Sequence, residues 1–257
     1  MKARLTVMGS GTSMGVPTIG CDCRVCNSAD PHDRRTRPSI LLEYADKLVL
    51  IDTTPDFREQ AIREGLRRLD AVLYTHGHAD HILGLDDLRP LSFHRPDGKI
   101  PLYANAHTGR LIQSVFRYIF EAAYKYGGLA QVELHDIEGP VSLFGVTFDP
   151  IPILHGDAGI FGFRFGSAAY LTDFSEIPAA SMAKLHGLDV LFLDALRHRP
   201  HPTHSTVENS LRIVEELKPR RTFFTHICHD LAHEETNAAL PPNVRLSYDG
   251  MKLELEL

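Results

Sequence analysis

The feature that most constrains this chain is a run of metal-binding side chains that directly follows an apolar segment. Residues 69–74 have the composition of a short buried strand, and three imidazoles and a carboxylate follow within six positions, in the order H-x-H-x-D-H. The donors are His76, His78, Asp80 and His81. They should lie in the turn that leaves the strand, at a sheet edge, where binding sites are commonly built. The strict spacing after a hydrophobic run indicates a two-metal hydrolase rather than a loop that is histidine-rich by chance.

Length and composition limit the class of protein. A chain of 257 residues with 43% hydrophobic residues can form a sizeable core, and we expect a single α/β domain over residues 1–257. The net charge of −6 and the absence of a basic block argue against a nucleic-acid partner. The sequence has no apolar run of 18 residues and no signal-like start, so we expect a cytoplasmic protein without a membrane segment.

Hydrophobic periodicity predicts alternating strands and helices in both halves of the chain. The predicted strands are 4–8, 39–44, 47–52, 69–74, 100–103, 131–135, 146–153, 159–165, 168–172, 190–193, 221–224 and 251–257. The predicted helices are 53–65, one that starts near 83, 108–126, 177–185 and 206–217. Neither a repeat nor a low-complexity linker divides the halves. This pattern predicts an αββα sandwich of two mixed sheets flanked by helices.

The segment 108–128 is enriched in aromatic residues. Tyr118, Tyr124 and Tyr126 lie in it, and Gly127-Gly128 could form a hinge at its end. A lid, a homodimer surface and an ordinary packed helix are all compatible with this pattern.

Three further donors follow predicted strands at the same kind of position as His76. They are His155, Asp173 and His226, each placed directly after a β-rich run. A binuclear site needs more than four ligands, so we assign His76, His78 and His155 to one ion and Asp80, His81 and His226 to the other. Asp173, as a carboxylate, can bridge both ions.

The cysteines suggest a second metal site. Three of the four lie together at Cys21, Cys23 and Cys26, and the fourth is Cys228. Disulfides between such close cysteines would be strained, and a reducing compartment would disfavour them. Metal binding is the better explanation.

These motifs resemble the metallo-β-lactamase superfamily over essentially the full chain. Within it, the glycine-rich segment 9–17 and the cysteine cluster resemble the PhnP-like phosphodiesterases of phosphonate breakdown. The resemblance implies a metallo-β-lactamase αββα sandwich with two divalent active-site ions, for which zinc, manganese and iron are all candidates. It also implies hydrolysis of a small cyclic phosphodiester, 5-phosphoribosyl 1,2-cyclic phosphate, to ribose 1,5-bisphosphate by a metal-bridging hydroxide.

The resemblance extends to further residues. It implies a structural zinc held by Cys21, Cys23, Cys26 and His229. It implies catalytic roles for Asp80, as a metal ligand, and for His204 near the leaving group, with His198 and His201 close enough in sequence to be confused with His204. Ser205 or Thr206 could cap the helix that follows.

Several relatives of the same fold remain alternatives. A tRNA 3′-processing nuclease has a similar Gly-Thr-Ser loop but usually carries a long substrate-binding arm. A PQQ-biosynthesis relative shares the zinc cluster but has a degenerate H-x-H-x-D-H set, whereas the set here is complete. A flavodiiron-type relative uses a different ligand set, and a thioesterase of the glyoxalase II type would lack the cysteines. A zinc-stabilised binding module without turnover is the alternative from outside the enzymes.

Overall fold

The computed structural model describes residues 1–93, 95, 98–121 and 128–257. Within them the chain forms two seven-stranded sheets with helices on their outer faces. The strands are β1 (Lys2–Gly9), β2 (Ser39–Tyr44), β3 (Lys47–Ile51), β4 (Ala71–Leu73), β5 (Ile100–Ala104), β6 (Val132–Asp136), β7 (Val141–Leu143), β8 (Val146–His155), β9 (Ala158–Phe165), β10 (Ala168–Leu171), β11 (Val190–Asp194), β12 (Arg221–Thr225), β13 (Val244–Leu246) and β14 (Lys252–Glu256).

The helices are mostly short. They are α1 (Phe57–Arg63), α2 (Ala79–Ile82), α3 (Arg89–Ser92), α4 (Ala106–Val115), α5 (Arg117–Phe120), α6 (Ala179–Met182), α7 (Val207–Leu217) and α8 (His233–Ala239). Single turns of 3-10 helix span Pro31–Asp33, Leu85–Leu88 and Ala183–Leu185. None of the helices in the described ranges is long and apolar enough to cross a bilayer.

Both sheets are mixed. The first has the order β14-β1-β2-β3-β4-β5-β6, antiparallel from β14 to β3 and parallel from β3 to β6. The second has the order β13-β12-β11-β10-β9-β8-β7, with β10 to β13 parallel and β7 to β10 antiparallel. In each sheet the parallel strands bring their carboxyl ends to one edge, which is where a site can form.

The core lies between the sheets, because both present fully buried side chains on their facing surfaces. Leu5 and Val49 from the first sheet belong to one apolar cluster with Phe148, Phe165 and Phe192 from the second. Two outer clusters cover the other faces of the sheets. Burial of such side chains contributes about 1.5–3 kcal/mol each and holds the layers together.

The predicted αββα sandwich of two mixed sheets is confirmed, while several element boundaries differ. The predicted helix 108–126 is wrong as a single element: α4 ends at Val115 and α5 begins at Arg117, because Phe116 leaves the helical region at φ −105° and ψ 37°. Tyr124, Tyr126 and the proposed hinge at Gly127 lie outside the described residues.

The remaining differences involve short elements with weak periodicity. The helix predicted from residue 53 begins only at Phe57, and the one predicted from 83 is a 3-10 turn, Leu85–Leu88. The predicted helix 177–185 is α6 followed by a 3-10 turn. Strands β7 and β13, of three residues each, and helix α8 were not predicted.

Candidate functional site

The donors identified in the sequence lie at the carboxyl ends of strands from both sheets. The H-x-H-x-D-H run follows β4, and Asp80 and His81 lie within α2. His155 ends β8, Asp173 lies two residues after β10, and His226 directly follows β12. The site is therefore formed by the carboxyl-terminal ends of strands from both sheets.

Two of these donors have a backbone conformation that is unusual for residues other than glycine. Asp173 and His226 have φ values of 59° and 58°, and Asp52, which directly follows β3, has 68°. Left-handed backbone costs free energy for a residue with a Cβ, on the order of 1 kcal/mol or more, and it concentrates at functional sites. The turn at each strand end points these side chains to the shared edge.

The structure brings the seven predicted ligands together as two adjoining groups. Each group has its donor atoms within 4.8 Å of one another. The first contains His76, His78 and His155; the second contains Asp80, His81, Asp173 and His226. In the second group, Oδ2 of Asp173 lies 3.1 Å from Nε2 of His226, 3.4 Å from Nε2 of His81 and 4.0 Å from Nε2 of His76. Asp173 therefore contacts donors of both groups.

The inner donor atoms point towards one another without hydrogen bonds. Nε2 of His76, His81 and His226 and Oδ2 of Asp80 are buried and have no hydrogen-bond partner among the described residues. The 3.1 Å approach of His226 to Asp173 lacks the alignment of a hydrogen bond. Leaving several buried polar atoms unpaired costs about 1–3 kcal/mol each, and divalent cations would satisfy all of them. The donor set fits metal ions.

The electrostatics of the second group agree with this fit. Burial lowers the pKa of His81, but the carboxylates of Asp80, Asp173 and Asp52 outweigh burial and raise it well above its ordinary value. Burial likewise opposes a raised pKa for His226, yet the Asp173 carboxylate raises it to about 10. Burial lowers the pKa of His76 well below its ordinary value. The carboxylates thus create a negative potential that attracts cations, or protons when no cation is bound.

A second layer of residues orients the donors. Asp52, fully buried, has Oδ2 2.8 Å from Nδ1 of His81, and it also accepts from the backbone N–H and the hydroxyl of Thr75. Nδ1 of His155 donates to the carbonyl of Thr203 at 2.8 Å. Such contacts set which ring nitrogen faces a metal ion.

His204 lies beside the metal-binding donors and is partly buried. Its Nδ1 lies 3.0 Å from Oδ2 of Asp194, which is completely buried at the end of β11. The ring stacks on His226 with 4.5 Å between centroids and lies 4.7 Å from the ring of His155. Because a carboxylate only accepts, Nδ1 of His204 carries the proton and Nε2 is left for a ligand.

The two neighbouring histidines have different environments. His198 is exposed, with Nδ1 2.6 Å from Oε1 of Glu208. His201 has Nδ1 hydrogen-bonded to the backbone N–H of Thr203, and its ring centroid is 4.9 Å from that of His204. Among the three, His204 is the histidine that stacks on a donor of the site.

The cysteines form a separate group. The Sγ atoms of Cys21, Cys23 and Cys26 lie 3.1, 3.4 and 3.5 Å from Nδ1 of His229. The backbone N–H of Cys26 lowers the pKa of Cys23 to about 6, which favours the thiolate that binds metal. Cys228 is outside this group, and its Sγ accepts from the N–H of Asp230.

A buried arginine holds the two chain segments of the cysteine group together. Arg35 donates to the carbonyls of Cys228 and Leu231 and pairs with Asp33 at 3.0 Å. The loop 228–231 that carries His229 begins two residues after His226. The cysteine group and the strand-end site therefore share one segment of chain.

Sequence reasoning missed Asp52, Asp194, Thr75 and Thr203. The two aspartates follow or end apolar strands, so the rule that selected Asp173 could also have found them. Thr75 lies within the motif itself. The carbonyl of Thr203 has no side-chain signal in the sequence.

Comparison with known proteins places the chain in a family. The model of the β-lactamase superfamily domain matches residues 47–227. A crystal structure described as a new diphosphatase from the PhnP family is 63% identical, with a TM-score of 0.95, and the match covers 100% of this chain and 98% of that one. The zinc-bound PqqB of Methylobacterium extorquens has a TM-score of 0.76 at 19% identity, over 98% of this chain and 100% of that one, which shows the shared fold.

Among curated relatives, an octanoyltransferase of Porphyromonas gingivalis is 39% identical over 97% of this chain and 51% of its own length. A ribonuclease Z of Bradyrhizobium diazoefficiens is 29% identical over 54% of this chain and 47% of its own. The chain thus spans about half the length of these relatives. The matched domain and the full-length 63% identity establish that this chain belongs to the β-lactamase superfamily and, within it, to the PhnP family.

Proposed function

We propose that the chain is a binuclear metal-dependent phosphodiesterase that hydrolyses a small cyclic phosphodiester such as 5-phosphoribosyl 1,2-cyclic phosphate. The observation that carries this proposal is the convergence of seven donors from both sheets, six of them buried and His78 exposed, with Asp173 between the two groups and His204 beside them. The membership of the PhnP family supports the reaction class.

The position of each residue indicates which metal ion it would bind. His76, His78 and His155 would hold one divalent ion, Asp80, His81 and His226 the other, and Asp173 would contact both. Bound there, the two ions would make water nucleophilic near neutral pH and offset the charge of a phosphate. The carboxylates of Asp80 and Asp173 set the charge that retains the ions, and Asp52 keeps the ring of His81 in place.

His204 would act on the leaving group. Asp194 holds the proton on Nδ1, so a protonated His204 presents an N–H at Nε2 to the leaving oxygen. When the ester P–O bond breaks, that proton passes to the alkoxide, and the imidazole becomes neutral. In a cyclic diester the leaving oxygen stays attached to the product, so one proton completes the ring opening.

An assay with purified protein tests the reaction class. With Zn²⁺ or Mn²⁺ present, we expect hydrolysis of bis(p-nitrophenyl) phosphate, and faster hydrolysis of five-membered cyclic ribose phosphates. Dipicolinate or EDTA should abolish both activities, and added metal should restore them. Protein that is loaded with metal and hydrolyses no diester would refute the proposal.

Variants separate the roles of the site residues. Asp80→Ala should lower metal content and turnover together, because it removes a donor. His204→Ala should keep the metal content and lower kcat by about 10²–10⁴, the usual contribution of a general acid. If both variants hydrolyse the substrate at the wild-type rate, the proposed roles of Asp80 and His204 are wrong.

A second candidate is hydrolysis of a phosphoanhydride, because the 63% identical neighbour is described as a diphosphatase. The same site could attack a phosphorus in a P–O–P linkage, where the leaving group is a phosphate. That leaving group needs little protonation, so His204→Ala should lower the rate of diphosphate hydrolysis far less than that of the cyclic ester. A panel of nucleoside diphosphates, cyclic ribose phosphates, 2′,3′-cyclic nucleotides and a precursor tRNA distinguishes these substrates, including the ribonuclease Z alternative.

We also propose that Cys21, Cys23, Cys26 and His229 hold a structural zinc. Their four donor atoms lie within 4.8 Å of one another, and the set of three thiolates and one imidazole is typical of closed tetrahedral zinc sites.

A further inference from the structure

A third cluster of potential ligands lies where the N-terminal loop meets α8, apart from the two sites already described. His32 lies in the 3-10 turn Pro31–Asp33, and His233 and Glu234 are the first two residues of α8. One donor atom from each lies within 4.8 Å of the others, the same limit that describes the cysteine group. We propose that His32, His233 and Glu234 bind an additional divalent transition-metal ion, with zinc as the best fit.

The strongest evidence is the unsatisfied imidazole of His233. Only 4% of its surface is exposed, and Nδ1 is buried without a hydrogen-bond partner among the described residues. The backbone N–H of His233 donates to Asp33 at 2.8 Å, so the start of α8 is anchored independently of the ring. Burial, with His32 and Arg35 nearby, lowers the pKa of His233 to about 4. The ring is therefore neutral at physiological pH, in the form that coordinates metal.

His32 and Glu234 complete the donor set on the solvent side. Nδ1 of His32 lies 4.0 Å from Oε1 of Glu234 and 3.6 Å from Oδ1 of Asp30. Donors around a tetrahedral zinc are about 3.4 Å apart, as bond lengths of 2.0–2.1 Å require. Glu234 is exposed, so a change of side-chain rotamer closes the difference. The Tyr248 ring packs against the His32 ring at a tilt of 39°, with 4.2 Å between centroids, and limits its rotation.

The donor chemistry selects the kind of ion. Two imidazoles and one carboxylate suit zinc and its neighbours among the transition metals, and they disfavour magnesium and calcium, which prefer all-oxygen ligands. Because Glu234 faces solvent, one coordination position would remain open to water.

Such an ion would be a second link between the N-terminal loop and the segment that leads from His229 into α8. His32 is six residues beyond Cys26, and His233 is four residues beyond His229. The ion would tie the N-terminal loop to α8 next to the connection that the cysteine group makes. This inference does not depend on the proposed catalytic function.

Zinc titration with matched variants tests the proposal. Metal analysis of the folded holoprotein, after saturation with zinc and removal of unbound metal, should give one more zinc equivalent in the wild type than in His32→Gln or Glu234→Gln. Both substitutions are at partly or fully exposed side chains, so the fold should persist. His186→Gln, at an exposed histidine outside all these groups, should keep the wild-type stoichiometry. Cys23→Ser should lose a different equivalent, so that His32→Gln combined with Cys23→Ser loses two.

A thermal measurement supplies a second readout. Zinc added beyond the tighter sites should raise the Tm of the wild type and of His186→Gln, and leave that of His32→Gln unchanged. If His32→Gln and Glu234→Gln bind as much zinc as the wild type, the cluster is only a packing contact of the two imidazoles with Tyr248, and the proposal fails.

Discussion

The buried carboxylate of Asp194 contacts the ring of His204 and fixes which of its nitrogens faces the site. It is fully buried, and burial raises its pKa, opposed by its contact with His204. Its Oδ1 has no hydrogen-bond partner among the described residues, so the contact of Oδ2 with His204 is its main polar interaction. Burying a carboxylate with one unpaired oxygen costs free energy. We therefore infer that Asp194 is present because it orients the imidazole of His204.

We therefore expect Asp194→Asn to lower kcat for diester hydrolysis by about 10-fold to 10²-fold while leaving metal content unchanged. The NH₂ group of the amide would donate to Nδ1 and so favour the wrong tautomer of His204. Steady-state kinetics across pH, with metal analysis of the same samples, measure both effects. A wild-type pH profile for Asp194→Asn would show that Asp194 has no influence on proton transfer. Glu208→Gln, next to exposed His198, is the control and should leave the profile unchanged.

The charge state of His226 gives a pH prediction for the metal-free protein. Its pKa is about 10 in the folded chain, against about 6.5 when unfolded, because Asp173 stabilises the protonated ring. The stabilising contribution is complete below about pH 6.5 and is lost as the pH rises towards 10. With chelator present, we expect the free energy of unfolding to fall by a few kcal/mol, as an order of magnitude, between pH 6.5 and 9.5.

Urea titrations of the chelated protein at several pH values check this slope. His226→Gln should reduce this slope, because the variant lacks the His226 ring, while the raised pKa of His81 keeps part of it. Zinc binding should show the opposite trend and strengthen over the same range, since zinc competes with protons for the imidazoles. A metal-free protein that gains stability from pH 6.5 to 9.5 would contradict the prediction.

At the scale of elements, α2 is positioned by close backbone contact with the turn after β3. A Cβ at Gly84 would lie 2.0 Å from the carbonyl oxygen of Thr54 and 2.8 Å from Cβ of Phe57. The N–H of Gly84 donates to the carbonyl of Thr53 at 3.0 Å. Asp80 and His81 lie on the helix just before this contact, so a glycine there allows the donors to approach the sheet edge.

We expect Gly84→Ala to destabilise the fold by about 1–3 kcal/mol or more, because the backbone oxygen cannot move aside as a flexible side chain would. Metal affinity should fall with it as α2 is displaced. Gly139→Ala is the matched control, because no atom lies within 4 Å of the position of its added Cβ. Denaturant midpoints of the two variants give the comparison, and equal midpoints would show that α2 tolerates displacement.

Sequence patterns predicted the long strands and α7 well because their apolar residues recur with a clear period. The start of α7 also followed local chemistry: Thr206 caps it by accepting from the N–H of Asn209. The short elements β7, β13 and α8 carry too few periodic residues to stand out. Within the candidate site, the donors were recognisable from their chemistry. The supporting contact of His155 with the Thr203 carbonyl was not, because it joins residues 48 positions apart.

At the scale of the whole molecule, the cysteine group connects the beginning of the chain to the segment that carries His226. If it holds zinc, Cys23→Ser should lose about one equivalent of metal and lower the Tm by about 10 °C or more. Structural zinc contributes on the order of 10 kcal/mol in zinc-finger peptides, so even partial loss is large for a chain of this size. Metal analysis and calorimetry provide the test.

Cys228→Ser is the control for this prediction. Its Sγ is buried and accepts from the N–H of Asp230, but it does not belong to the metal-binding group. We expect the variant to keep the full zinc content. An unchanged stoichiometry in Cys23→Ser would refute the structural-zinc assignment.

The order of the strands has a consequence for synthesis. Strands β1 to β6 and β7 to β13 each come from a continuous stretch of chain, but β14 returns to pair with β1. While the ribosome is making the second sheet, the edge of β1 therefore has no partner, and its unpaired N–H and carbonyl groups are open to other nascent chains. That edge is protected only when residues 252–256 have emerged, so the first sheet, which carries four of the seven donors, is completed last. Slowing translation late in the message should increase aggregation more than slowing it early.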